Sequence, residues 1–128
     1  MGCVDGYSLQ FEPSGGRWAP GRYVFEVTTP AGTTTCEGAL PLPPCDRQAL
    51  TCSGPPVSIG VSGCALPPDQ HGFSGIDLPE GPAHLEVVIR HEGATLAQMK
   101  TDPAYRNVEP NGPECGPTCR QATGRLSW

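Results

Sequence analysis

The chain contains one lysine, Lys100, and carries a net charge of −5 over 128 residues. Its charges are spread, so no basic stripe exists to hold phosphates, which argues against a nucleic-acid partner. It has no run of apolar residues approaching the roughly 20 that a helix needs to cross a bilayer, so contact with a membrane is expected through a lipid anchor only. A 3.6-residue apolar stripe is also missing, which removes amphipathic helices from the expected architecture. Large rings are scarce: three Phe, three Tyr and two Trp serve the whole chain.

Glycine and proline are abundant, at 17 and 16 residues. They cluster between short apolar runs, as in Pro13-Ser14-Gly15-Gly16, Pro30-Ala31-Gly32, Pro67-Pro68 and Pro110-Asn111-Gly112-Pro113. That is how turns punctuate strands, so order is expected rather than low complexity. Tyr7, Leu9 and Phe11 alternate with polar residues, and Tyr23, Phe25 and Val27 repeat the pattern before a turn at Pro30-Ala31. A threonine-rich strand through Thr33, Thr34 and Thr35 to Cys36 would complete a hairpin. Val57, Ile59 and Val61 alternate again, as do Leu85, Val87 and Ile89, and Leu96 to Thr101 is expected to pair back after Glu92-Gly93. Ala122, Leu126 and Trp128 share parity in a final strand. The pattern predicts an all-β fold: a disulfide-stapled β-sandwich of about seven to eight short strands, immunoglobulin-like or transthyretin-like, over residues 7–128, with residues 1–6 as a tether.

Seven cysteines, at 3, 36, 45, 52, 64, 115 and 119, point to an oxidising, extracytoplasmic compartment. Six of them allow fifteen connectivities. Loop geometry favours Cys45 with Cys52 and Cys115 with Cys119, leaving Cys36 and Cys64, both at strand positions, for a third bridge. Cys3 is the odd one. Behind the small residue Gly2 it resembles the cleavage and acylation site of bacterial lipoproteins, with Met1 read as a start residue on a processed sequence. Myristoylation at Gly2 fits less well, because Gly6 stands where that pattern wants Ser or Thr. A free thiol or an intermolecular bridge is the competing reading of Cys3.

Pro103-Ala104-Tyr105, the segment 110–122 with its Glu114-Cys115-Gly116-Pro117-Thr118-Cys119 core, and Ser62-Gly63-Cys64-Ala65-Leu66-Pro67 resemble disulfide-bridged lipoproteins of the type common in myxobacteria. That resemblance implies a cysteine-bridged β domain anchored at the cell envelope through Cys3, in the outer membrane or periplasm, and implies no activity.

Residues able to carry chemistry are few. Gly72-Phe73-Ser74-Gly75 lacks the last glycine of a nucleophile elbow, since Ile76 occupies it. Asp69, His71 and Ser74 could be written as a triad, yet three residues of one loop seldom reach that geometry. Cys115-x3-Cys119 alone has zinc-like spacing, and a bridge explains it better. His84 and Glu86 share a strand face that could hold a metal or simply be a polar surface, and His91 has the opposite parity. No Cys-x-x-Cys motif is present for thiol redox work.

No metal or cofactor is therefore expected. Trp18, Tyr105 and Trp128, near strand ends, are either core residues or the aromatic part of a site for a protein or glycan. The threonine-rich strand at Thr33 to Thr35 is a further place where a partner strand could add. The expected function is a non-enzymatic, lipid-anchored binding or structural module. The alternative is a small secreted hydrolase or metal-dependent domain using the His71 loop.

Overall fold

The computed structural model describes residues 4–112, 116 and 118–128. Wherever the sequence alternates, a strand forms. In β1 (Gly6–Glu12), Tyr7, Leu9 and Phe11 are buried while Ser8 and Gln10 face water. The same pattern runs through β2 (Gly21–Thr29), β6 (Gly72–Leu78) and β7 (Leu85–His91). Between them lie β3 (Gly32–Leu40), β4 (Leu50–Ser53) and β5 (Ser58–Ser62), and β8 (Ala94–Thr101), β9 (Arg106–Val108) and β10 (Cys119–Ser127) complete the chain.

Two five-stranded sheets result, ordered β5-β6-β1-β10-β9 and β4-β3-β2-β7-β8. Their inner faces enclose a core in which Phe25, Cys36, Val87 and Ile89 are wholly buried, with Leu9, Phe73 and Ile76 nearly so. Each large apolar side chain removed from water in this way contributes roughly 1.5–3 kcal/mol. The β2–β3 hairpin turns at Pro30-Ala31, and β8 folds back on β7. β1 pairs in parallel with β10, Tyr7 opposite Ala122 and Phe11 opposite Leu126, so the first and last described strands run side by side. The strand order differs from the immunoglobulin constant arrangement, which puts the second and third strands in opposite sheets; here they form a hairpin within one sheet.

The all-β, disulfide-stapled sandwich is present, with ten strands among the described residues rather than seven or eight. The additions include β4 and β9, too short to show an alternation. β1 begins at Gly6, inside the segment expected as a tether, and Val4 and Asp5 are already bound to β10 through the Gln121 side chain and the Arg120 amide.

The expected bridges Cys36–Cys64 and Cys45–Cys52 are corrected: the same four cysteines pair as Cys36–Cys52 and Cys45–Cys64. The cause is β4. It pairs with β3 so that Cys36 and Cys52 stand directly opposite, their Cα atoms 4.0 Å apart. Cys45, left in the β3–β4 connection, reaches Cys64 just after β5 and ties the edges of the two sheets together. Loops of 16 and 19 residues each correspond to about 3 kcal/mol of unfolded-state entropy. Cys119 is also disulfide-bonded. The expected Cys115–Cys119 pairing and the anchor expected at Cys3 both fall on residues outside the described ones.

Candidate functional site

The strands bring the loops together at two ends. At one end β1 and β10 finish, and the connections 13–20, 41–49, 63–71 and 92–93 gather. Trp18 and Trp128 meet here edge to face, with centroids 4.9 Å apart. Trp18 also packs edge-on against Phe73 at 5.1 Å and Tyr23 at 5.3 Å. Both tryptophans pack against the core rather than standing free as a stacking platform, and one side of Trp18 borders an open depression that Phe11, His71 and Phe73 also line. Gly72 makes room for Trp18: a Cβ there would lie 2.5 Å from the indole Cδ1.

Polar groups finish the closure. The Ser14 hydroxyl donates to the Trp128 carbonyl, and the Trp128 amide donates to the Glu12 carbonyl. The Tyr23 hydroxyl donates to the Ala19 carbonyl at 2.6 Å. Burial, reinforced by the Glu92 carboxylate, holds the Tyr23 phenol above the ordinary tyrosine range. His91 stacks on Tyr23 at 4.5 Å, with its Nε2 bonded to the Pro20 carbonyl.

His71 belongs to the same construction. Its Nδ1 accepts the Leu42 amide hydrogen at 2.8 Å, which makes Nε2 the protonated nitrogen, and that N–H donates to the Leu66 carbonyl at 2.8 Å. Both ring nitrogens are therefore taken by backbone, and neither is presented to Ser74 as a base. Asp69 pairs instead with Arg17 at 3.4 Å, both side chains well exposed, while Ser74 is exposed on β6. The three residues do not assemble the geometry of a triad. His71 acts as a clip: with the Cys45–Cys64 bridge it fastens the β3–β4 connection to the β5–β6 connection.

Among the described residues, no group of three or more His, Cys, Asp or Glu could hold a metal. His84 and Glu86 border an open depression, and Glu86 faces Lys100 at 3.9 Å.

Tyr105 sits at the opposite end, separated from the two tryptophans by the length of β10. Its hydroxyl donates to the Pro82 carbonyl at 2.7 Å, and the Arg120 guanidinium lies 4.0 Å above its ring. Burial raises the Tyr105 phenol above the usual range, with Arg120 pulling the other way.

The residues Tyr105 supports form one wall of a cavity of about 240 Å³. Its lining comes from three connections: the β2–β3 turn with Pro30 and Ala31, the β4–β5 link with Pro55, Pro56 and Val57, and the β6–β7 link with Pro79, Glu80, Pro82 and Ala83. The Thr34 hydroxyl donates to the Pro55 carbonyl and pins the second wall. The Gly81 amide, bonded to the Leu78 carbonyl, turns the third. Five proline rings with fixed φ make the cavity stiff before any ligand arrives.

Sequence reading placed Trp18, Trp128 and Tyr105 near loop ends, but the structure divides them between the two ends and gives all three supporting roles. The cavity itself was missed. Its signal was the spacing of Pro30, Pro55-Pro56, Pro79 and Pro82, each beside a strand end. No protein-family model matches the chain, and neither a curated protein nor a solved structure matches it significantly.

Proposed function

We propose that the protein is a non-enzymatic, extracytoplasmic binding module, and that its working site is the proline-walled cavity. The observation carrying this reading is a preformed, mostly aliphatic cavity held open by Tyr105 and Thr34. Apolar concavities with few polar groups are where small ligands or anchoring side chains bind. Two disulfides support an oxidising compartment, and no helix among the described residues is long and apolar enough to cross a membrane.

The resemblance to myxobacterial lipoproteins extends the proposal to the bacterial envelope, with the chain anchored through Cys3 and engaging a protein or glycan partner there. The anchor has a chemical condition. Four cysteines pair among themselves and Cys119 is bonded, so an acylated Cys3 requires Cys115 as the partner of Cys119. Non-reducing peptide mapping that joins Cys119 to Cys115 supports the anchor, and a Cys3–Cys119 peptide rules it out.

The cavity is tested by an amide NMR titration with hexan-1-ol. Shifts confined to the non-proline residues of 29–34, 55–57 and 78–83 are expected. Shifts centred on Trp18 and Trp128, or none at all, would overturn the site.

A further inference from the structure

We infer that the cavity selects an aliphatic chain ending in a cationic head, an alkylammonium, in preference to an anionic one; this rests on the cavity being the binding site. Size sets the body of the ligand. A cavity of roughly 150 Å³ accepts benzene, so 240 Å³ accommodates about six to ten heavy atoms. The walls are saturated, built from proline rings, Ala31, Val57, Leu78 and Ala83, with no aromatic face for a sugar or a ring to stack upon.

The head group follows from what the rim can offer. Pro30, Pro55, Pro56, Pro79 and Pro82 have no amide hydrogen to donate. The Ala31 amide is already given to the Thr29 hydroxyl, and the Thr34 hydroxyl to the Pro55 carbonyl. An anion entering the cavity would find few donors. The Pro55, Pro82 and Leu78 carbonyls are likewise taken, by Thr34, Tyr105 and Gly81, so charge decides, and Glu80 is the one ionisable residue of the lining, exposed at the rim. A carboxylate at the rim is complementary to an ammonium and repels another carboxylate. The net charge of −5 acts in the same direction at longer range.

The test compares hexylammonium, hexan-1-ol and hexanoate by calorimetry on the intact chain, beside a Glu80→Gln variant. Hexylammonium is expected to bind about three- to tenfold more tightly than hexanoate, the modest factor that an exposed charge provides. Glu80→Gln should remove most of that difference while leaving hexan-1-ol unchanged. Equal binding of all three, or tighter hexanoate, overturns the head-group inference with the cavity intact. Failure of hexan-1-ol to bind overturns the cavity itself.

Discussion

The two ends of the sandwich use different materials. One is closed by Trp18 and Trp128 over Phe73, by the Cys45–Cys64 bridge and by the two backbone bonds of His71. The other is framed by five prolines that fix the backbone but cannot fill the space between them, leaving a cavity. Aromatic rings bury large areas in defined edge-to-face contacts, whereas a proline wall fixes the backbone without filling the space beside it. The ringed end has room as well, a more polar depression beside Trp18 and Phe73, but the smaller space between the prolines is the one with fixed, saturated walls.

The comparison can be broken by substitution. Replacing Cys45 and Cys64 together by Ser should have the largest effect, a loss of about 3 kcal/mol, read as a lower midpoint in thermal or denaturant unfolding. Trp18→Ala comes next at about 2–3 kcal/mol, somewhat below the cost for a fully enclosed ring. Tyr105→Phe removes one hydrogen bond but keeps the ring that packs against the core, and should cost only about 1 kcal/mol. A stability loss at Tyr105 as large as at Trp18 would erase the distinction between the ends.

The smallest effect is alkaline. The phenols of Tyr7, Tyr23 and Tyr105 are all raised by burial above the ordinary value of 10.0. A raised folded-state pKa favours the protonated form in the native state. Its stabilising contribution is therefore complete below pH 10 and lost as pH climbs past 10 through the folded values. Tyrosinate absorbance should rise later in the folded protein than in the denatured one, with stability falling over the same interval. Coincident titration curves would remove this prediction.

Most of the sandwich was legible because one side of each strand is buried, which forces the period of two seen at Tyr7-Leu9-Phe11 and Leu85-Val87-Ile89. The pairing of strands was less so. Nothing local in Tyr7 to Phe11 announces a parallel partner more than a hundred residues away. The bridges were misassigned for a related reason: Thr51-Cys52-Ser53 is too short to show alternation, yet its register with β3 decides which cysteine faces Cys36. At the candidate site, Tyr105 was found as an aromatic near a strand end, but its role depends on Pro82 lying within reach of its hydroxyl. The cavity is a property of three connections distant in sequence, and each alone reads only as a turn.

The central claim, that one end stabilises and the other binds, is tested most directly by measuring hexylammonium affinity in Trp18→Ala and Tyr105→Phe side by side. The account predicts near wild-type affinity in the less stable Trp18→Ala protein and a severalfold loss in the nearly intact Tyr105→Phe protein. Affinity lost in Trp18→Ala and kept in Tyr105→Phe would contradict it.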